Sequence, residues 1–266
     1  MAYRLIALDL DDTLLNSKKQ ITKKNHEALA LAREKGVRVI LASGRAYPGI
    51  TAFNEALGNT DYAITCGGAQ VVDPDGTVIH STYVEPEAAK QVMRWAMMHN
   101  IHFQIYLDDG FYYLKKNEQS DFYEKLCNYT GAADPDLMNI ETVLTSKILL
   151  IDTPEKIKKY RKELSALFPE LALKRSQEYF LEIMNPEATK GNALKYLAQK
   201  LNIEQHQILA MGDSEIDESM IEYAGMGIAM QNAYETCKAV ANDVTASCDE
   251  DGVAVSIEKY ILGANK

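Results

Sequence analysis

The feature that most constrains the fold is an apolar run near the start of the chain that ends in a cluster of carboxylates. Residues 5–8 read Leu-Ile-Ala-Leu without polar alternation, and Asp9, Asp11 and Asp12 follow directly. An unbroken apolar run of this kind is typical of a strand buried on both faces, as in a parallel sheet covered by helices. We therefore expect the carboxylates at the carboxyl edge of such a sheet, where open α/β sheets bind their ligands.

Three carboxylates so close together repel one another unless a positive charge lies among them. A hard divalent cation with oxygen ligands is one solution, and Mg²⁺ fits best if a phosphate group is also present. The alternative is that one aspartate caps a following helix while the others are solvated. The spacing alone leaves both interpretations open.

Length and composition restrict the class of protein. With 266 residues, of which 47% are hydrophobic and 25% charged, the chain is long enough for two packed domains. A net charge of −10 argues against a nucleic-acid partner, and the absence of an apolar stretch of about 18 residues argues against a membrane span. The first carboxylates come too early for a signal peptide, and the four cysteines show no CxxC spacing. We therefore expect a cytoplasmic protein with reduced thiols.

The order of the predicted elements divides the chain into two parts. Up to residue 82, and again from residue 188, helices alternate with apolar strands, which is the pattern of right-handed crossovers and a parallel sheet. Between residues 83 and 187, helices are instead followed by pairs of strands, which is typical of an α+β unit. The sequence thus predicts a discontinuous, doubly wound α/β core (1–82 and 188–266) interrupted by an inserted α+β domain (83–187).

Polar residues recur where predicted parallel strands end or where a helix begins. Beside Asp9 and Asp11, these are Ser43 after the second strand, Lys190 at a helix start and Asp213 after a later strand. Ser43 and Asp213 could simply cap the helices that follow them. The helix dipole makes a cation in the first turn, such as Lys190, unfavourable by about 0.3–1 kcal/mol. We therefore expect an anion beside Lys190, either a bound phosphate or the carboxylate of a salt bridge. The set as a whole favours phosphoryl chemistry.

Four motifs carry a resemblance to a known family. They are Asp9-Leu10-Asp11-Asp12-Thr13-Leu14, Ser43-Gly44-Arg45, Lys190-Gly191 and Gly212-Asp213-Ser214-Glu215-Ile216-Asp217. In this order they are similar to the motifs of the haloacid dehalogenase (HAD) superfamily, and in particular to its Cof-type sugar-phosphatase branch. The resemblance covers essentially the full chain. It implies a HAD-like, Rossmann-type core with an inserted α+β cap domain, and a Mg²⁺-dependent phosphatase whose cap closes over the substrate.

The resemblance also implies roles for individual residues. Asp9 would be the nucleophile that forms a phosphoaspartate, and Asp11 would protonate the leaving alcohol and then activate water. These steps need Asp11 protonated while Asp9 is ionised. The metal ligands that the resemblance implies are Asp9, Asp11 (through its carbonyl), Asp213 and Asp217. The residues that it implies for binding the phosphate are Ser43, Gly44 and Lys190.

Two positions depart from the family pattern. Ile216 and Gly67 stand where the family usually has Asn. At the position of Ile216, the loss of one hydrogen bond to the phosphoryl group could cost about 1–3 kcal/mol. The expected activity is hydrolysis of small organic phosphate monoesters, with sugar phosphates first, so the partner is a small phosphorylated metabolite. The alternatives are a phosphomutase of the same superfamily, or a regulatory protein that binds a phosphorylated ligand with weakened catalysis.

Overall fold

The computed structural model describes residues 3–58 and 61–263, which form two sheets and their surrounding helices. The strands are β1 (Leu5–Leu8), β2 (Arg38–Ala42), β3 (Ala63–Thr65), β4 (Gln70–Val72), β5 (Val78–Ser81), β6 (Phe103–Leu107), β7 (Gly110–Tyr113), β8 (Ala132–Ala133), β9 (Ile148–Ile151), β10 (Ala172–Lys174), β11 (Phe180–Met184), β12 (Ile208–Gly212), β13 (Met226–Ala229) and β14 (Asp243–Val244). The helices are α1 (Lys23–Glu34), α2 (Thr51–Ala56), α3 (Pro86–Met98), α4 (Glu118–Cys127), α5 (Pro154–Leu167), α6 (Lys190–Leu201), α7 (Glu218–Tyr223), α8 (Glu235–Val240) and α9 (Gly252–Ile257). Among these described residues, no helix has the length and apolar character needed to cross a bilayer.

The larger sheet has eight strands in the order β14-β13-β12-β1-β2-β3-β4-β5. The strands from β14 to β3 pair in parallel, and the hairpin of β4 and β5 adds an antiparallel edge. β1 lies between β12 and β2, with Leu5 opposite Ile208 on one side and Arg38 on the other. All four side chains of β1 are buried, as a strand inside a covered parallel sheet requires. The doubly wound α/β core predicted from the sequence is confirmed.

The helices that flank the site follow local sequence signals. The sequence predicts a helix over Lys190–Leu201, and α6 has these bounds. The hydroxyl of Thr189 caps it by accepting a hydrogen bond from the backbone N of Asn192. The sequence also predicts a helix over residues 215–224, but α7 begins at Glu218, three residues later than this predicted start. The reason is that the carboxylate of Asp217 binds backbone N–H groups of the preceding residues and holds them as a loop.

The second sheet has the order β10-β11-β9-β6-β7-β8 and is antiparallel except for the pair β7 and β8. One face packs against α3 and α5 in an apolar core that includes Val92, Ile157 and Leu181. The other face carries aromatic side chains such as Tyr106 and packs with α4 against loops of the larger sheet, for example at Ala46. The inserted α+β cap is thus confirmed as an architecture, while its exact limits at residues 83 and 187 stay a prediction.

Candidate active site

Two neighbouring parallel strands bring buried carboxylates to one edge of the larger sheet. Asp9 follows β1, Asp213 follows β12, and Asp217 lies four residues further on, just before α7. One carboxylate oxygen from each of the three residues lies within 4.8 Å of the other two, and all three residues are buried. Such a set of oxygen ligands can hold a hard divalent cation.

Lys190 supplies a positive charge inside this acidic cluster. Its Nζ lies 2.6 Å from Oδ1 of Asp9 and 2.5 Å from Oδ1 of Asp217, and its side chain is fully buried. The salt bridge that the sequence offered as one explanation for a lysine at a helix start is therefore present. Contact between Lys190 and a phosphate stays a prediction.

The loop between β12 and α7 is folded around the carboxylate of Asp217. Its Oδ2 accepts hydrogen bonds from the backbone N of Asp213 and from both N and Oγ of Ser214. A Cβ at Gly212 would lie 2.4 Å from the Cβ of Asp217, so any larger residue there would displace the carboxylate. Thr13 fixes Asp213 through a 2.8 Å hydrogen bond from its Oγ1 to Oδ1.

The side chain of Asp11 lies outside the cluster of three carboxylates. Both of its oxygens are bound by Arg45, with Nε to Oδ2 and Nη2 to Oδ1 each at 2.8 Å. Lys19 lies 3.4 Å from Oδ1. Arg45 also donates to the carbonyl oxygens of Cys127 at 2.7 Å and Leu126 at 3.4 Å, at the end of α4. Arg45, to which the sequence analysis gave no role, thus ties Asp11 to the cap.

The two aspartates predicted to react differ in pKa. Burial, and then the charge of Asp217, raises the pKa of Asp9 to about 8, although Lys190 opposes this shift. Burial also acts to raise the pKa of Asp11, but the hydrogen bonds and charge of Arg45 outweigh it and lower that pKa below its usual range. The protein side chains alone therefore favour a protonated Asp9 and an ionised Asp11. This is the reverse of the order that the predicted mechanism needs.

Ser43 and Gly44 follow β2, on the other side of β1. The Oγ of Ser43 accepts a hydrogen bond from the backbone N of Arg45 at 3.1 Å, so this hydroxyl caps its own loop. Gly44 lines a pocket together with Asp9 and Asp11. The structure thus joins Gly44 to the predicted catalytic pair, and phosphate binding by Ser43 and Gly44 stays a prediction.

The pocket beside Asp9 lies between the core and the cap and has a volume of about 50 Å³. The cap residues that line it are Tyr123, Leu126, Cys127, Ser176, Gln177, Phe180 and Glu182. None of them was predicted from the sequence. Glu182 did carry a signal, because it is the one charged residue in an otherwise apolar strand, β11. A space of this size holds only a few water molecules.

The two departures from the family pattern have different surroundings. Ile216 lines the pocket, and its Cδ1 lies 3.3 Å from the position that a Cβ at Gly44 would take. It therefore presents a methyl group where an amide could form a hydrogen bond. Gly67 has a φ of +70°, and a Cβ there would lie 2.9 Å from Cε of Met184. An asparagine at this position would require Met184 to move.

Known proteins match almost the whole chain. Residues 6–257 match the family of haloacid dehalogenase-like hydrolases. Phosphatase YwpJ of Bacillus subtilis is 32% identical and aligns over 97% of this chain and all of its own. From the same organism, the 5-amino-6-(5-phospho-D-ribitylamino)uracil phosphatase YwtE is 32% identical over 98% of this chain and 99% of its own. The crystal structure of TM0651 from Thermotoga maritima is 32% identical and superimposes with a TM-score of 0.83 over 97% of each chain. As its motifs predicted, the chain belongs to the haloacid dehalogenase-like hydrolase family.

Proposed function

We propose that the chain is a Mg²⁺-dependent phosphatase that hydrolyses small organic phosphate monoesters through a phosphoaspartate on Asp9. The observation that carries this proposal is the contact of Lys190 with Asp9 inside a cluster of three buried carboxylates. Relatives of matching length support it, because they are named phosphatases. Sugar phosphates are the first substrates to test.

Charge balance supports a divalent cation at this site. When all are ionised, the three carboxylates and Lys190 carry charges of −3 and +1, which leaves −2 in a buried volume. A divalent cation would cancel this charge, and carboxylate and carbonyl oxygens are the ligands that Mg²⁺ prefers. Bound Mg²⁺ would be held by Asp9, Asp213, Asp217 and the carbonyl of Asp11, and it would neutralise charge on the phosphoryl group.

The protein side chains act in two steps in this proposal. The ionised carboxylate of Asp9 attacks phosphorus, the bond from phosphorus to the leaving oxygen breaks, and Asp11 gives that oxygen its proton. Asp11 then takes a proton from a water molecule, whose oxygen attacks the phosphoaspartate and releases inorganic phosphate and the carboxylate of Asp9. Lys190, with Ser43 and Gly44, binds the phosphoryl oxygens and stabilises their charge in the transition state.

Arg45 sets a condition on this mechanism. Its guanidinium holds both oxygens of Asp11, so Asp11 must free at least one of them before it can carry a proton to the leaving group. Arg45 also binds the carbonyl of Cys127 in the cap, and any separation of cap and core therefore changes the partners of Arg45. We accordingly propose that substrate entry and the release of Asp11 occur together.

Hydrolysis of p-nitrophenyl phosphate tests the proposal. We expect the wild type to release inorganic phosphate with Mg²⁺ present, and Asp9→Asn to lower kcat by about 10³-fold or more. Asp12→Asn is the matched control, because Asp12 belongs to the same motif but lies outside the carboxylate cluster. A wild type without activity, or an Asp9→Asn variant that retains it, would refute the proposal. Release of inorganic phosphate also separates a phosphatase from a phosphomutase, which keeps the phosphoryl group.

A further inference from the structure

A buried ion pair of the cap reaches into the predicted active site. Lys147 precedes β9 and Glu182 lies on β11, and their Nζ and Oε2 atoms are 2.7 Å apart. The two side chains are 1% and 4% exposed. Glu182 lines the same pocket as Asp9 and Asp11. Because side chains alternate along a strand, Glu182 points away from the apolar core formed by its neighbours Leu181 and Ile183 and toward the larger sheet.

The ammonium group of Lys147 already has a partner for each of its three N–H donors. Its Nζ donates to the carbonyl oxygen of Gly44 at 2.5 Å, binds Glu182, and lies 4.3 Å from the centre of the Tyr106 ring. The bond to Gly44 fixes the ion pair to the loop that follows β2, beside Asp11. Lys147 therefore positions Glu182 and has no donor left for a ligand.

Glu182, in contrast, has spare acceptor capacity. Its Oε1 accepts a 2.6 Å hydrogen bond from Oγ of Ser176, which lines the pocket too. Its Oε2 is buried and has no hydrogen-bond donor among the described residues apart from its ionic partner Lys147. An ionised carboxylate offers about four lone-pair sites, so two donors leave room for further ones.

The stability of the cap does not explain why Lys147 and Glu182 form a buried ion pair. A buried ion pair costs so much desolvation that well-packed apolar residues of similar volume are often equally stabilising. β11 is otherwise apolar, and the cap core on its other face needs no charge. A ligand that donates hydrogen bonds to Glu182 would account for the carboxylate.

We infer that Glu182, positioned by Lys147 and Ser176, is a specificity-determining residue that accepts hydrogen bonds from neutral hydroxyl groups of the leaving alcohol. This inference rests on the proposed phosphatase function. Adjacent hydroxyls on a polyol can donate to one carboxylate together, in the manner that two N–H groups of arginine do. A leaving group with its own negative charge would meet the carboxylates of Asp9, Asp11 and Glu182. Arg45, the cation that lines the pocket, is bound to Asp11 in this structure, and Lys147 beside it is bound to Glu182.

The test in the wild type compares phosphate esters with and without hydroxyl groups, and a pentitol 5-phosphate and n-pentyl phosphate form the pair that differs only in them. We expect kcat/KM for a pentitol 5-phosphate or a hexose 6-phosphate to exceed that for n-pentyl phosphate by about tenfold or more, because an unmet buried acceptor is costly. If p-nitrophenyl phosphate and pentyl phosphate are hydrolysed but neither hydroxylated ester is preferred, the inference fails while the proposed function stands. If no ester is hydrolysed, both fail.

Variants then assign the preference to Glu182. Glu182→Gln should lower the ratio of kcat/KM between the preferred hydroxylated ester and pentyl phosphate by about tenfold. The ratio is the appropriate readout, because a shift of the Gly44 loop would affect both esters alike and cancel. The double variant Lys147→Met with Glu182→Leu should lower the ratio too, without leaving a buried charge unpaired.

The matched control is Glu124→Gln. Glu124 is an ion-paired carboxylate of the cap, bound to Tyr113 and Lys116, and it does not line the pocket. The ratio of kcat/KM between the hydroxylated ester and pentyl phosphate should be the same in Glu124→Gln as in the wild type. If the Glu182 variants keep the wild-type ratio, or if the control loses it equally, hydroxyl recognition by Glu182 is refuted.

Discussion

Magnesium affinity should rise steeply with pH in the neutral range. Burial raises the pKa of Asp9 to about 8, and burial together with the charges of Asp9 and Asp217 raises the pKa of Asp213 well above its usual range. At pH 6 the folded chain without a cation therefore holds a proton that Mg²⁺ must displace. At pH 8 only about half of the molecules still hold this proton on Asp9, because its carboxyl is then near its titration midpoint, and most of the cost has gone.

The magnitude follows from the pKa of Asp9. A single displaced proton with a pKa of about 8 makes the apparent Kd for Mg²⁺ about fiftyfold lower at pH 8 than at pH 6. In the chain without Mg²⁺, the free energy of unfolding changes with pH in the opposite direction to the Mg²⁺ affinity. Between the unfolded pKa of 3.8 and the folded pKa of about 8, the folded state binds the extra proton, so stability falls as pH rises. This fall is about 2 kcal/mol from pH 6 to pH 8, and Mg²⁺ should abolish it.

Titration calorimetry at pH 6, 7 and 8, in two buffers with different ionisation enthalpies, measures both the Kd and the protons released. Thermal unfolding with and without Mg²⁺ gives the second readout, and the stabilisation by Mg²⁺ should increase by about 4–8 °C from pH 6 to pH 8. Asp12→Asn serves as the control and should preserve the pH dependence. A Kd that is the same at pH 6 and pH 8, or binding that releases no proton, would refute the charge argument.

Two further predictions concern residues next to the carboxylate cluster. Ile216→Asn should raise kcat for p-nitrophenyl phosphate by about fivefold or more, because it restores a hydrogen-bond donor at the pocket, whereas Ile216→Leu should not. An unchanged kcat in Ile216→Asn would indicate that the apolar side chain at this position is an adaptation. Glu215→Gln should raise KM more than it lowers kcat, because Oε1 of Glu215 binds Arg175 of the cap at 2.8 Å and helps to hold cap and core together. Steady-state kinetics check it against Glu218→Gln, whose cap contact is longer at 3.9 Å, and equal effects on KM would contradict a closing role for Glu215.

The core of the fold could be predicted because its signals are local. Four apolar residues in β1 and the alternation of strands and helices are sufficient to indicate a parallel sheet. α6 has its predicted bounds because Thr189 and Lys190 mark its start. The start of α7 was misplaced for a non-local reason, since Asp217 uses its side chain to bind the loop before the helix. A helical periodicity cannot reveal such a side-chain contact.

The site was predictable to the extent that it is built from motifs on the core. Asp9, Asp213 and Asp217 come together because β1 and β12 are neighbours in the sheet, and their motifs mark the strand ends. The cap residues Lys147 and Glu182 lie just before β9 and on β11, and nothing in their spacing indicates contact. Their pairing depends on the register of β9 against β11, and a slip of one residue would turn Glu182 into the apolar core.

The pKa values of Asp9 and Asp11 show that the opening motif and the folded core are not sufficient for the proposed chemistry. The protein side chains raise the pKa of Asp9 and lower that of Asp11, although the mechanism needs a charged Asp9 and a protonated Asp11. A divalent cation held by the carboxylate cluster would act on the first of these, because it would favour the ionised form of Asp9. The cation alone would not reverse the lowered pKa of Asp11, because Arg45 keeps Asp11 ionised. Arg45 is in turn bound to the cap at Cys127. Reversal of the protonation order therefore requires both the cation and a change of partners at Arg45, which couples the reaction to the position of the cap.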